Sequence, residues 1–280
     1  MAKTKLIIVE GLPGSGKSTT AQLTQDILNE MHIKTRLFLE GSMDHPADYE
    51  AVSYFSAEEF GILTEQYADF RSLLIKHAAA QSDGFVLSQY RLKQELGEGT
   101  LPEALQQKLY EHDIYEIPLK KHIELIIERW KKFCEQAMNS EDTYIFECCF
   151  IQNPVTIGMV KYGVHDDIVM RYVTKLADII EPLKPILIYV EQKDFRKSFM
   201  KAVQERPKEW STGFMDYYNN QGYGKQHDAE GIEGTFAVLE ARSQLESKIF
   251  DALNMEKFKV DNSEFDLNRH RQRIIEKLKF

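Results

Sequence analysis

No apolar run in the 280-residue chain approaches the roughly 20 residues needed to cross a bilayer, so a membrane-spanning helix is not expected. Cysteine is scarce. Cys134, Cys148 and Cys149 show no C-x-x-C spacing, and an odd number fits a reduced compartment better than a disulfide framework. An excess of basic residues is also missing: the net charge is −9, which argues against a nucleic-acid surface while leaving a local basic site open. The first strand pattern begins almost at the N-terminus, so no signal peptide is expected and the chain reads as cytoplasmic. Repeats and low-complexity linkers are absent. What is present, at 43% hydrophobic residues, suits the core of one large domain or two small ones.

Glycine is used with purpose in one stretch, "VEGLPGSGKSTT", from Val9 to Thr20. Gly11 to Ser18 fits G-x-x-x-x-G-K-[ST], a phosphate-binding loop. Leu6, Ile7, Ile8 and Val9 before it read as a buried strand; Leu23, Ile27, Leu28 and Met31 after it recur at helical spacing. In that setting Gly14 and Gly16 would let backbone N–H groups close round a polyphosphate at a helix N-terminus. Lys17 would reach the terminal phosphates and Ser18 would ligand magnesium. Gly11, Pro13, Gly14, Ser15, Gly16, Lys17, Ser18 and Thr19 are therefore the candidate nucleotide-binding residues, and ATP with Mg²⁺ the implied cofactors.

Four further short apolar runs, Leu37–Leu39, Tyr144–Phe146, Ile186–Val190 and Phe258–Val260, alternate with helical pattern. Such alternation predicts an α/β fold: a doubly wound parallel five-stranded sheet with helices on both faces. Helical faces are expected over Leu119–Phe133, Asp166–Leu183, Phe236–Leu253 and from Leu267 onward. A single domain over 1–280 is expected, carrying an acceptor-side insertion at 41–118 and a lid-like insertion at 207–234. Within the first insertion "GFVLSQYRL" has weak strand pattern and "PEALQQKLYEHDIYE" is helical.

Acids stand at or beside the carboxyl end of each predicted strand: Glu10, Glu40, Glu147, Glu191 and Asp261. Ligands of open parallel sheets bind there, so these acids would form one rim balanced by magnesium, Lys17 and arginines. Glu40 and Glu147 are assigned to chemistry, one supporting the metal shell and one taking a proton from an attacking hydroxyl, in an order left open. Ser18 and Glu147 are the candidate metal residues. Asp44 and His45 could line an acceptor site, although His45 reads better as an ordinary loop residue. In "KDFRKSFMKAVQERPKEW", taken as one helix, Arg206 falls amid the apolar face, pointing toward the body, and Arg196 at its edge. Arg206 is a candidate phosphoryl clamp or a structural ion pair; Arg196 is assigned to the nucleotide. Lys193, Lys197 and Lys201 fall on the opposite, solvated face.

"VEGLPGSGKST" resembles the opening of the thymidylate kinase and deoxynucleoside kinase-like group of P-loop kinases, in which an E-G pair leads into the phosphate loop. The resemblance implies an ATP-dependent phosphotransferase, with Lys17 and Ser18 as phosphate and magnesium residues, Arg206 near a lid arginine, Glu40 as general base, and dimers as a common state. The group follows the acid of the third strand with an arginine. Here Cys148 and Cys149 stand instead, which weakens a nucleoside monophosphate as acceptor and leaves nucleosides, nucleotides and other small hydroxyl acceptors open; the two cysteines read as buried packing. The alternatives are a P-loop ATPase switching a protein partner and a transferase using a sulfonated nucleotide. A guanine-nucleotide switch lacks its N-K-x-D stretch near the C-terminus.

Overall fold

The computed structural model of the chain describes residues 4–97 and 100–278. Its strands are β1 (Leu6–Gly11), β2 (Thr35–Phe38), β3 (Val52–Ser56), β4 (Ala78–Gln81), β5 (Gly84–Ser88), β6 (Thr143–Glu147), β7 (Ile186–Glu191) and β8 (Glu256–Asp261). Five of them form the expected parallel sheet in the order β2-β6-β1-β7-β8. The fold is α/β. Leu6, Ile7, Ile8 and Val9 are wholly buried because β1 is central and covered on both faces. On one face Ile7, Val9, Ile145, Ile188 and Val260 pack against Ala21, Ile27 and Leu28 of the helix Lys17–Glu30 and against Ile274 near the C-terminus. On the other an aromatic group gathers, with Trp130 edge-on to Phe146 and Phe133, and Phe146 near Phe38.

The chain divides into two compact units, Gly41–Ile126 and the remainder. The smaller unit has its own antiparallel sheet, β3-β5-β4. A capping box of Ser56 and Glu59 starts the helix Ala57–Gln66, which buries Phe60 and Leu63 with Phe55, Leu87 and Leu105. Gly84 is obligatory at its β-pair: a Cβ there would lie 2.2 Å from the Phe55 carbonyl oxygen. His45 is buried in this unit, its Nδ1 accepting the Ala47 N–H, and Asp44 is exposed.

The 207–234 segment is helical, with Lys208–Asn220 and Gly222–Gln226 preceding the long helix Gly231–Ala252. Phe199, Phe214, Tyr218 and Phe236 form its core. Among the described residues no helix is long and apolar enough to cross a membrane.

Candidate functional site

β1 ends at Gly11, and the loop that follows delivers Gly16 in the left-handed region, φ 95°, as N-cap of the helix Lys17–Glu30. No side chain caps that helix, so the N–H groups of its first turn face outward as an anion site would require. Packing adds a second reason for the glycines. A Cβ on Gly14 would sit 2.8 Å from the Ser198 carbonyl oxygen, and one on Gly16 would sit 2.4 Å from Asn262 Nδ2. That amide cannot yield freely, since Asn262 Nδ2 and Gln192 Nε2 both donate to the Ser15 carbonyl, at 2.9 and 3.0 Å, and fix the loop from behind. Lys17 is buried and its Nζ donates to the Leu12 carbonyl at 3.3 Å, across the base of the loop.

Ser18 begins a chain of hydrogen bonds. Its Oγ donates to Glu147 Oε1 at 2.6 Å; Glu147 Oε2 accepts the Glu40 backbone N–H at 3.2 Å; Glu40 Oε1 accepts Gln152 Nε2 at 3.0 Å. Glu147 is buried at the end of β6, whereas Glu40 is exposed. Glu40, Glu147 and Cys148 each offer a ligand atom, all within 4.8 Å of one another. Burial, and next the Glu40 carboxylate, push the Cys148 thiol well above its ordinary range, so it stays protonated and the available ligands are hard oxygens. A hydroxyl and carboxylates beside a phosphate loop suit magnesium. Cys148 takes a left-handed φ of 59° directly after Glu147 and is buried with Cys149.

Pro13, Gly14, Gly16, Lys17, Ser18 and Thr19 line a cavity of about 630 Å³ together with Glu40, Glu147 and Gln152. Its far wall comes from the helices Phe195–Glu205 and Lys208–Asn220, with Trp210, Phe214 and Tyr217, and from Arg242 of the helix Gly231–Ala252.

No protein-family model matches the chain, and no curated protein matches it. A solved structure of deoxyadenosine kinase from M. mycoides with bound dATP is similar over 98% of each chain, at 15% identity and a TM-score of 0.39.

The five strand-end acids do not form one rim. Only Glu40 and Glu147 line the cavity. Glu191 pairs with Lys259 at 2.9 Å and Asp261 with Lys193 at 3.4 Å beside a second cavity behind the loop, which also takes in Ser15. Glu10 turns into the body, where its carboxylate accepts the N–H groups of Phe150, Ile151 and Gln152 at 2.8–3.0 Å and so fixes the turn after β6. Burial outweighs those donors and raises Glu10 from 4.5 to about 7. Between those values the folded chain holds a proton that the unfolded chain has lost, so stability should fall as pH rises from 4.5 to about 7. The span corresponds to about 3 kcal/mol; because His112 and His270, lowered by burial, add stability as pH rises, the effect is read as the difference between wild type and Glu10→Gln in urea unfolding, which should move against the wild type by that amount across the span.

Two arginines also stand elsewhere than the single-helix reading placed them. Pro207 follows Arg206 and forces it into an extended conformation, so the helix ends at Glu205. Arg206 is therefore exposed instead of pointing into the body; its guanidinium stacks on Trp210, 4.3 Å from the ring centre, at the cavity wall. Arg196 pairs with Glu233 at 3.0 Å and covers Phe236, and neither it nor Gly11 lines the cavity. Gly11 is required by the sheet, since a Cβ would lie 2.6 Å from the Val190 carbonyl oxygen. Lys201, read as solvated, lines the cavity beside Glu205.

Sequence reading missed Gln152 and Arg242. In "FIQNP" a glutamine amid apolar residues is the one signal for the first. Arg242 and Glu246 stand four apart like any surface helical pair, yet each is 1% exposed. Arg242 Nε donates to Glu246 Oε1 at 2.6 Å, its Nη1 to Thr156 Oγ1 at 3.1 Å and to the Tyr218 hydroxyl, and Tyr189 donates to Glu246 Oε2 at 2.6 Å.

Proposed function

We propose that the chain is a magnesium- and ATP-dependent kinase that phosphorylates a hydroxyl of a small acceptor. The observation that carries this reading is the hydrogen-bonded series Ser18–Glu147–Glu40–Gln152, which starts at the uncapped helix after the glycine loop and runs along one cavity. Bound ATP would supply the γ-phosphoryl group, ADP departing as the acceptor oxygen takes its place on phosphorus, and magnesium would offset the charge. The loop N–H groups and Lys17 hold the phosphates, and Ser18 with Glu147 holds the metal. Glu147, buried and bonded to Ser18, suits the metal side; Glu40, exposed to the cavity and outside that bond, suits the proton of the acceptor hydroxyl. Arg206 and Lys201 line the same cavity and would meet developing charge on the phosphoryl oxygens, with the helices Phe195–Glu205 and Lys208–Asn220 as the lid.

ADP release from Mg-ATP, with and without nucleosides, nucleoside monophosphates, aminoglycosides and sugar alcohols, tests the reading. Glu147→Gln should raise the magnesium concentration needed for half-maximal rate by about tenfold or more. Glu40→Gln should lower kcat by about 100-fold or more with the magnesium requirement unchanged. Acceptor-independent hydrolysis alone would favour a partner-regulated ATPase.

A further inference from the structure

Two buried polar atoms in the wall of this cavity have no hydrogen-bond partner among the described residues: Gln152 Oε1 and Arg242 Nη2. The orientation of Gln152 is fixed, because its Nε2 faces the Glu40 carboxylate, which can only accept. Its carbonyl oxygen is thus an acceptor waiting for a donor. Arg242 has committed Nε and Nη1 to Glu246, Thr156 and Tyr218, and only the Nη2 edge is left to donate. Thr156 ties the two together: it follows Gln152 by four residues on the same helical segment and accepts from Arg242. Gln152 and Arg242 are about nine-tenths buried or more, at 8% and 1% exposure, so each orphan atom costs free energy until a ligand pairs it.

We propose that the acceptor is an uncharged polyol, with a hydroxyl on the carbon next to the reacting one donating to Gln152 Oε1 and a further oxygen accepting from Arg242 Nη2. The inference rests on the kinase reading for which hydroxyl reacts. Neutrality is argued from the charges at this wall: the guanidinium is already balanced by Glu246, an anion would meet the Glu40 carboxylate and the lone pairs of Gln152 Oε1, and the other cations of the cavity, Lys17, Lys201 and Arg206, are assigned to the phosphates of ATP. The second hydroxyl follows from connectivity. Gln152 Nε2 is bonded to the carboxylate assigned to the reacting hydroxyl, so the oxygen of the same amide lies beside that carboxylate, and the donor it lacks would come from a neighbouring part of the same acceptor. A hydroxyl both donates and accepts, which meets the two orphan atoms with one functional group. Phe214 and Tyr217 supply an apolar surface for the C–H face of such a molecule.

The test is calorimetric binding, independent of turnover, of myo-inositol, D-ribose and uridine. Their comparators are 2′-deoxyuridine and 2′,3′-dideoxyuridine, in which one or both of the neighbouring ribose hydroxyls are missing, and ribose 5-phosphate. At least one polyol should bind and lose about tenfold or more in affinity with the neighbouring hydroxyl removed. Gln152→Leu should abolish that discrimination with its melting temperature within a few degrees of wild type, and Arg242→Lys, followed by the same melting control, should weaken the polyol too. The proposal is overturned if no polyol binds, if Gln152→Leu keeps the discrimination, or if ribose 5-phosphate binds at least about tenfold tighter than ribose. Polyol binding with this pattern but without polyol-stimulated ADP release would uphold the subsite and overturn the kinase reading instead.

Discussion

Lys17→Ala is expected to cut acceptor-stimulated ADP release by about 100- to 1,000-fold, the usual effect of removing one preorganised group that meets transition-state charge. Lys17 is held by a carbonyl, that of Leu12, and its positive charge remains available to the cavity it lines. Its aliphatic stem is buried, which fixes the ammonium at the base of the loop before any ligand arrives. Truncation forfeits one hydrogen bond, on the order of 1 kcal/mol, together with the packing of the buried stem, so the melting temperature should fall while the protein stays folded at assay temperature. Turnover and melting measured on the same preparation separate the two effects, and undiminished turnover would remove Lys17 from the mechanism.

The largest stability effect is expected from Arg242→Met, a loss of about 3–5 kcal/mol in urea unfolding. The guanidinium is the counter-charge of Glu246 in a region where both are almost inaccessible, and Glu10 lies close enough for Glu246 to raise its pKa. Removing the arginine leaves Glu246 buried without its counter-charge, with Tyr189 donating to it and Glu10 within its field. The double variant Arg242→Met/Glu246→Met should recover most of the loss, because apolar side chains of similar length need no counter-charge. Equal destabilisation in the single and double variants would show that the pair is not coupled.

How far the sequence revealed this arrangement depends on how local the cause is. The central strands β6, β1 and β7 were legible because each is an apolar run buried on both faces, while the edge strands β2 and β8, only partly buried, left shorter apolar runs; the ends shifted, as where β1 continues through Glu10 to Gly11. The loop and Ser18 were legible because glycines and a helix start leave a fixed spacing. In the smaller unit β5 gave weak pattern, while β4, reading Ala-Ala-Ala-Gln, had none; its pairing with β5 decides it. The site was harder. Strand-end position put five acids in one rim, with Glu40 and Glu147 singled out for chemistry, yet whether each faces the cavity, the body or a lysine is set by neighbours far along the chain: Phe150 to Gln152 for Glu10, Lys259 for Glu191. Arg206 was misplaced by a local rule that was available, the restriction Pro207 places on the residue before it. Arg242 could not be found locally at all, since its burial comes from Thr156 and Tyr218 on other elements.

The most direct measurement of the central claim follows the phosphoryl group itself. ATP labelled in its γ-phosphate, incubated with the protein, magnesium and the acceptor panel, should deliver the label to an organic monoester, with little appearing as inorganic phosphate. Label found only as inorganic phosphate, whatever acceptor is supplied, would contradict a kinase and identify a nucleotide hydrolase built on the same loop.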